Sequence, residues 1–163
     1  MIKAGIVPLL FESFSVNDIG IVESSSRAFR ILLQNATQIE ERMVSSQQFP
    51  ALFSALLKLL AVQSLDLSNH EWTTRALRVS EMAASIIART AFLIDDERVF
   101  TMVPSALSLL TKYLDDCYSF YPKLQEAALD ALASLCKDRI SVSNKIAEGE
   151  IPSPCLFQSE LIR

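Results

Sequence analysis

The sequence predicts an all-α fold made of repeated helical units, and three observations support this prediction. A proline among apolar residues recurs at Pro8, Pro50, Pro104 and Pro152, at spacings of 42, 54 and 48 residues. Such spacings are typical of stacked helical repeats. Half of the 163 residues are apolar and only three are glycine, which favours helices. Between the prolines, apolar residues recur every three or four positions, as on one face of a helix.

Each of the first three prolines is expected to lie in the first turn of a helix, where its missing N–H has no helical partner to lose. The helix that follows Pro8 is expected to end near Phe14, before the polar residues 15–18. The next two proline-started helices each carry an apolar face. Those faces comprise Leu52, Phe53, Leu56, Leu57, Leu59 and Leu60, and then Leu107, Leu109, Leu110 and Leu114.

A longer, alanine-rich helix is expected after each of these, at 21–36, 72–93 and 123–137. Small side chains on these helices would let a neighbouring backbone approach closely. The predicted core positions are Ala28, Ile31, Leu32 and Ala36; then Met82, Ala83, Ile86, Ile87 and Ala91; then Ala127, Ala128, Leu129, Ala131, Leu132, Leu135 and Cys136. Short helices at 38–44, 95–102 and 140–147 would complete a three-helix unit. A polar loop at 63–70 lengthens the middle spacing.

The order of a short helix, a proline-started helix and a long alanine-rich helix resembles the armadillo repeat. The best match is 124–136 (LQEAALDALASLC), which continues through 144–152 (NKIAEGEIP). Residues 2–10 (IKAGIVPLL) resemble the same junction between repeats. The resemblance implies a right-handed α-solenoid of about three armadillo-like repeats. HEAT repeats differ mainly in a bent or split first helix, so the choice between the two subtypes stays open.

The predicted organisation is a single helical repeat region over 1–163, with approximate units at 1–36, 37–93 and 94–138 and a partial unit at 139–163. By the phase of the match, the chain begins near the end of one repeat's first helix. It stops after the proline opening of another, and neither end shows a polar capping helix. We therefore expect a segment of a longer array, incomplete at both ends. The alternative is a complete small helical domain.

The candidate binding residues come from the same resemblance. In armadillo proteins the third helices line a concave groove, and members that recognise basic import signals use a Trp and an Asn one turn apart there. Aligning Ala28, Ala83 and Ala128 puts six polar residues at those positions: Arg30 and Gln34, Ser85 and Arg89, Asp130 and Ser134. None is a Trp–Asn pair, which argues against import-signal recognition. Their mixed charges predict an ordinary groove for protein partners.

No pattern in the sequence points to catalysis, so we expect a protein that is not an enzyme and uses no cofactor. The single histidine, His70, lies in the predicted polar loop without a nucleophile motif beside it. No glycine-rich phosphate-binding motif occurs. Cys117, Cys136 and Cys155 lack the spacing of a metal site. They are interpreted as reduced thiols, which predicts a location in the cytoplasm, the nucleus or both.

The expected function is a scaffold or adaptor that binds other proteins along the concave third-helix surface. The net charge of −4 comes from 15 basic and 19 acidic residues without a basic block, so no nucleic-acid partner is expected. No apolar stretch is long enough for membrane insertion. Self-association through uncapped ends is a further possibility. The alternative function is a structural or regulatory helical segment of a larger multi-repeat subunit, without a peptide groove of its own.

Overall fold

A computed structural model describes residues 6–34, 49–61, 70–91, 99 and 101–136. Within these ranges the chain forms six α-helices, one short 3-10 turn and no strand. The helices are α1 (Ile6–Ser13), α2 (Ile19–Gln34), α3 (Phe49–Leu60), α4 (His70–Thr90), α5 (Val103–Lys112) and α6 (Pro122–Cys136), and the 3-10 turn is Asp116–Tyr118. The predicted all-α class is confirmed.

The prolines lie in first turns, as expected. Helix α3 begins at Phe49 with Pro50 as its second residue, and α5 begins at Val103 with Pro104 as its second. Pro8 is the third residue of α1. Proline fits here because the first N–H groups of a helix have no carbonyl partner in the preceding turn.

Helix α2 begins with a side-chain cap that the sequence analysis did not identify. The Asp18 carboxylate oxygen Oδ1 accepts hydrogen bonds from the backbone N–H groups of Gly20, at 2.8 Å, and Ile21, at 3.1 Å. These are N–H groups that the helix itself leaves without partners. The polar turn after α1 therefore sets the start of α2.

Helix α4 is the central element of the fold, because it packs against α2, α3 and α6. Helix α1 packs on α2, α5 on α6, and α3 on α5.

Helices α2 and α4 run in the same direction, because residues further along α2 lie near residues further along α4. An added Cβ on Gly20 would lie 3.0 Å from Nη1 of Arg75, and further along Arg30 pairs with Glu81. The two helices therefore run parallel.

The core joins all six helices, and its largest members are almost completely buried: Phe29, Leu33, Phe49, Leu52, Phe53, Leu56, Leu60, Ile86, Ile87, Leu107 and Tyr113. Phe29 of α2 meets Phe11 of α1 edge to face, with ring centroids 5.4 Å apart. Tyr113 meets Tyr118 in the same way at 5.1 Å. Such aromatic pairs add to the free energy gained by burying apolar area.

The predicted core of α2 is wrong at two of its positions. Ala28 and Ile31 are exposed, whereas Leu32 is half-buried and packs against the core. The buried positions are Val22, Ser26, Phe29 and Leu33. Those four positions have the same spacing as the buried residues Leu124, Ala128, Ala131 and Leu135 of α6. Burial therefore aligns Ser26, and not Ala28, with Ala128. A serine is small enough for close helix packing, so an alignment guided by alanine alone was two residues out of register.

Most of the predicted core positions of α4 and α6 are buried. Met82, Ala83, Ile86, Ile87 and Ala91 are all buried. On α6 the exceptions are Leu129, which is 46% exposed, and Cys136, which is half-buried. His70 begins α4 and does not belong to a loop. The short helices predicted at 38–44 and 140–147, and most of the one at 95–102, lie outside the described residues, as does Ala36.

Candidate interaction groove

A groove of about 430 Å³ lies where α2, α4 and α6 meet. Ser85, Ala88 and Arg89 contribute from α4, and Arg30 from α2, while α6 supplies Asp130, Ala133 and Ser134. Four of these seven residues are alanine or serine. Their small side chains leave space over the seam between α4 and α6.

Five of the six residues predicted from the sequence therefore line one groove, although they are spread over 105 positions of the chain, from Arg30 to Ser134. The sixth, Gln34, ends α2, and its side chain lies outside the described set. Whether these residues bind a partner stays a prediction. The two-residue error in the α2 alignment did not remove Arg30 from the site, because its long side chain extends towards α4.

The polar end of the groove is organised around Glu81 of α4. Its Oε1 pairs with Nη1 of Arg30 at 3.3 Å, and its Oε2 accepts a hydrogen bond from the hydroxyl of Tyr121 at 2.7 Å. The Glu81 side chain is only 16% exposed, so water screens these interactions poorly. One carboxylate thus connects α2, α4 and the residue that precedes α6.

The environment of Tyr121 changes its acidity. Burial raises the pKa of the phenol to about 12, and the hydrogen bond to Glu81 and the charge of Glu81 act in the same direction. Arg78 opposes them. At neutral pH the hydroxyl therefore keeps its proton and serves as the donor to Glu81.

A second ion-pair group lies further towards the start of α2. The Glu23 carboxylate oxygen Oε1 lies 3.0 Å from Nη2 of Arg27 and 3.5 Å from Nη1 of Arg78. Glu23 is 7% exposed, and the arginines shield it on the outer side. This group holds α2 against α4 at the end of the seam where Arg75 lies near Gly20.

Two further charged residues line the groove, namely Arg89 and Asp130. Within the described ranges, neither Arg89 nor Asp130 forms an ion pair. They line the same groove without pairing with each other. Both residues are exposed to solvent.

Glu81 and Tyr121 were missed by reasoning from the sequence. Glu81 lies four residues before Ser85, whose hydroxyl donates to the Glu81 carbonyl at 2.9 Å. That spacing places both on one side of α4 and could have suggested Glu81. A second tyrosine, Tyr113, has its hydroxyl buried against the Leu60 carbonyl and Ser80.

No cluster of three potential metal ligands occurs among the described residues. Cys117 is exposed and Cys136 is half-buried, and neither is in a disulfide. The His70 side chain lies outside the described set. None of the helices in this part of the chain has both the length and the apolar character needed to cross a bilayer.

Compared with protein families, with characterised proteins and with solved structures, the chain has no match. The groove and its residues are therefore the basis on which a function can be argued.

Proposed function

We propose that this chain is a non-enzymatic scaffold or adaptor that binds a segment of a partner protein in the groove between α2, α4 and α6. The observation that carries this proposal is the convergence of Arg30, Arg89 and Asp130, from three different helices, on one open groove. Charges held on rigid helices can orient a ligand, because the helices fix where each side chain starts. Two of these charges have no partner in the described residues.

We further propose that the helix pairs are successive repeats of a right-handed, armadillo-like α-solenoid. Helices α2, α4 and α6 contact one another in sequence, and α3 contacts α5. Each proline-started helix packs on the alanine-rich helix that follows it. These contacts support two stacked layers, of which the alanine-rich layer lines the groove. Repeats of this kind bury their apolar faces against neighbours and offer an extended surface to partners.

The proposal is tested by selecting short linear peptides from a random display library on the folded protein. The blocking variant is Ser85→Trp, which fills the groove from its α4 side. The matched control is Ser108→Trp, because Ser108 is an exposed serine on α5, outside the groove. Circular dichroism confirms that both variants fold.

The expected result is a set of peptides that bind the unchanged protein and Ser108→Trp but lose affinity for Ser85→Trp by about tenfold or more, since about 1.4 kcal/mol of lost contact gives that factor. If every selected peptide binds both tryptophan variants equally, the groove is not the binding surface and the proposal is wrong.

A second candidate is a structural or regulatory segment of a larger assembly without its own peptide site. It is favoured by large apolar side chains exposed outside the groove, namely Leu9 at 63% and Ile21 and Leu129 at 46%. Such residues are suited to packing against other helices. This candidate predicts self-association that Leu129→Glu weakens, measured by analytical ultracentrifugation, and no peptide selection that depends on Ser85.

A further inference from the structure

The arginines of the described residues are confined to two adjacent helices. All five belong to α2 or α4, namely Arg27, Arg30, Arg75, Arg78 and Arg89. The chain as a whole carries a net charge of −4. Guanidinium groups are therefore concentrated along two parallel helices, although the chain is acidic overall.

The carboxylates along this seam do not balance the arginines. Glu23 is shared by Arg27 and Arg78, and Glu81 pairs with Arg30. Two carboxylates thus serve three arginines, Arg75 has an interaction of its own, and Arg89 is without an ion-pair partner in the described residues. At the open groove, Arg30 and Arg89 face the single lining carboxylate of Asp130.

Arg30 also keeps binding capacity in its present state. Glu81 contacts only its Nη1, at a long 3.3 Å. Nε is buried without a hydrogen-bond partner and is therefore closed to a ligand, whereas Nη2 has no partner among the described residues and is the donor that stays available. A guanidinium can engage two carboxylates through different edges. Arg30 can therefore hold Glu81 and still attract a second anion at the groove.

We propose that the groove accepts an acidic peptide segment, whose carboxylates pair with Arg89 and with Nη2 of Arg30. This inference rests on the proposed function and specifies the chemistry of the partner. Asp130, on the α6 wall, accepts hydrogen bonds from backbone N–H groups of the same segment. It also repels any excess of negative charge, which limits how many acidic residues can be bound side by side.

An acidic peptide fits these observations better than a nucleic acid does. A phosphate backbone brings one charge per nucleotide and gains affinity from a continuous basic surface. Here Asp130 interrupts the basic surface, and the whole chain is negatively charged. A single side-chain carboxylate, in contrast, needs only the two arginines that the groove provides.

The experiment measures the binding of fluorescein-labelled hexaglutamate, hexalysine and a neutral serine–glycine peptide to the full chain by fluorescence anisotropy. The test variants are Arg89→Glu and Asp130→Asn. The matched control is Lys58→Glu, which makes the same change in charge at an exposed position of α3. Thermal unfolding of each variant shows that it remains folded.

We expect hexaglutamate to bind more tightly than the other two peptides, with an affinity that falls as salt is raised. Arg89→Glu should weaken this binding about tenfold, and Lys58→Glu should change it by less than about twofold, because only the first charge lies in the groove. Asp130→Asn should strengthen it about threefold by removing a like charge.

Three outcomes would overturn the inference. Equal losses in Arg89→Glu and Lys58→Glu would show attraction to overall charge only. Tighter binding of hexalysine would assign the groove to a basic partner. An oligothymidylate that displaces hexaglutamate and loses affinity in Arg89→Glu would identify a nucleic-acid site.

Failure here is distinct from failure of the proposed function. If library peptides bind in a Ser85-dependent manner while hexaglutamate does not bind, the scaffold function stands and the acidic partner is wrong. If no peptide of either kind depends on the groove, the proposed function itself fails.

Discussion

The hydroxyl of Tyr121 donates a 2.7 Å hydrogen bond to the carboxylate of Glu81, which lies 40 residues earlier in the chain. The other oxygen of that carboxylate pairs with Arg30 of α2. One acidic side chain thus links α2, α4 and the residue that precedes α6. The link lies beside the groove, so it positions Arg30 as well as stabilising the fold.

Replacing Tyr121 with phenylalanine should remove this link at little cost in packing. We expect the free energy of unfolding to fall by about 1 kcal/mol, because the partly buried Glu81 carboxylate loses a donor. Urea unfolding at neutral pH measures the change. Stability equal to that of the unchanged protein would mean that water replaces the hydroxyl without loss.

The raised pKa of Tyr121 also predicts a dependence of stability on alkaline pH. Burial and Glu81 raise this pKa from 10.0 to about 12, so the folded state retains a proton that the unfolded state releases. The stabilisation is complete below pH 10 and is lost as pH rises towards 12. Tyr121→Phe should therefore show a smaller decline in urea midpoint between pH 9 and 11 than the unchanged protein. A decline of identical slope would contradict the predicted shift.

The buried hydroxyl of Tyr113 offers a comparison between two tyrosines. It donates to the Leu60 carbonyl at the end of α3 and lies 3.0 Å from Oγ of Ser80 on α4. Tyr113→Phe leaves a buried carbonyl without its donor and should lower the free energy of unfolding by about 1.5 kcal/mol. The control is Tyr118→Phe, since the Tyr118 hydroxyl makes no hydrogen bond with the described residues. It should cost less than about 0.5 kcal/mol, and equal losses would show that the Tyr113 bond is unimportant.

The cap of α2 can be tested with a neighbouring polar residue as reference. Asp18→Ala removes the acceptor of the Gly20 and Ile21 N–H groups and should cost about 1 kcal/mol. Asn17→Ala, in the same exposed turn, removes no cap and should be close to neutral. Chemical denaturation of the two variants decides between them. The cap would be discounted if the two substitutions had the same effect.

Two alanines of α6 test whether α4 and α6 are as closely packed as the structure indicates. Ala128 is completely buried and Ala133 is exposed. Ala128→Leu should overpack the core and lower the free energy of unfolding by about 2 kcal/mol. Ala133→Leu should change it by less than about 0.5 kcal/mol. An Ala128→Leu variant of unchanged stability would imply a gap between the helices.

The sequence by itself was sufficient to predict the six described helices and most of the buried positions of α4 and α6. Pro50 and Pro104 mark helix starts because a proline is compatible only with the first turn. The apolar spacing of α4 and α6 predicted which side of each is buried, since a helix repeats every 3.6 residues. Ser85, Arg89, Asp130 and Ser134 were selected by the armadillo resemblance, and the structure brings them to one groove.

The tertiary structure decided what periodicity could not. The register of α2 depends on Phe29 meeting Phe11 and on Ser26 filling a close contact, and neither is visible in a search for alanines. The contact of Glu81 with Tyr121 and Arg30 joins residues 40 and 51 positions apart. Local sequence governs which way a side chain points from its own helix, whereas the partner it meets depends on how separate helices pack.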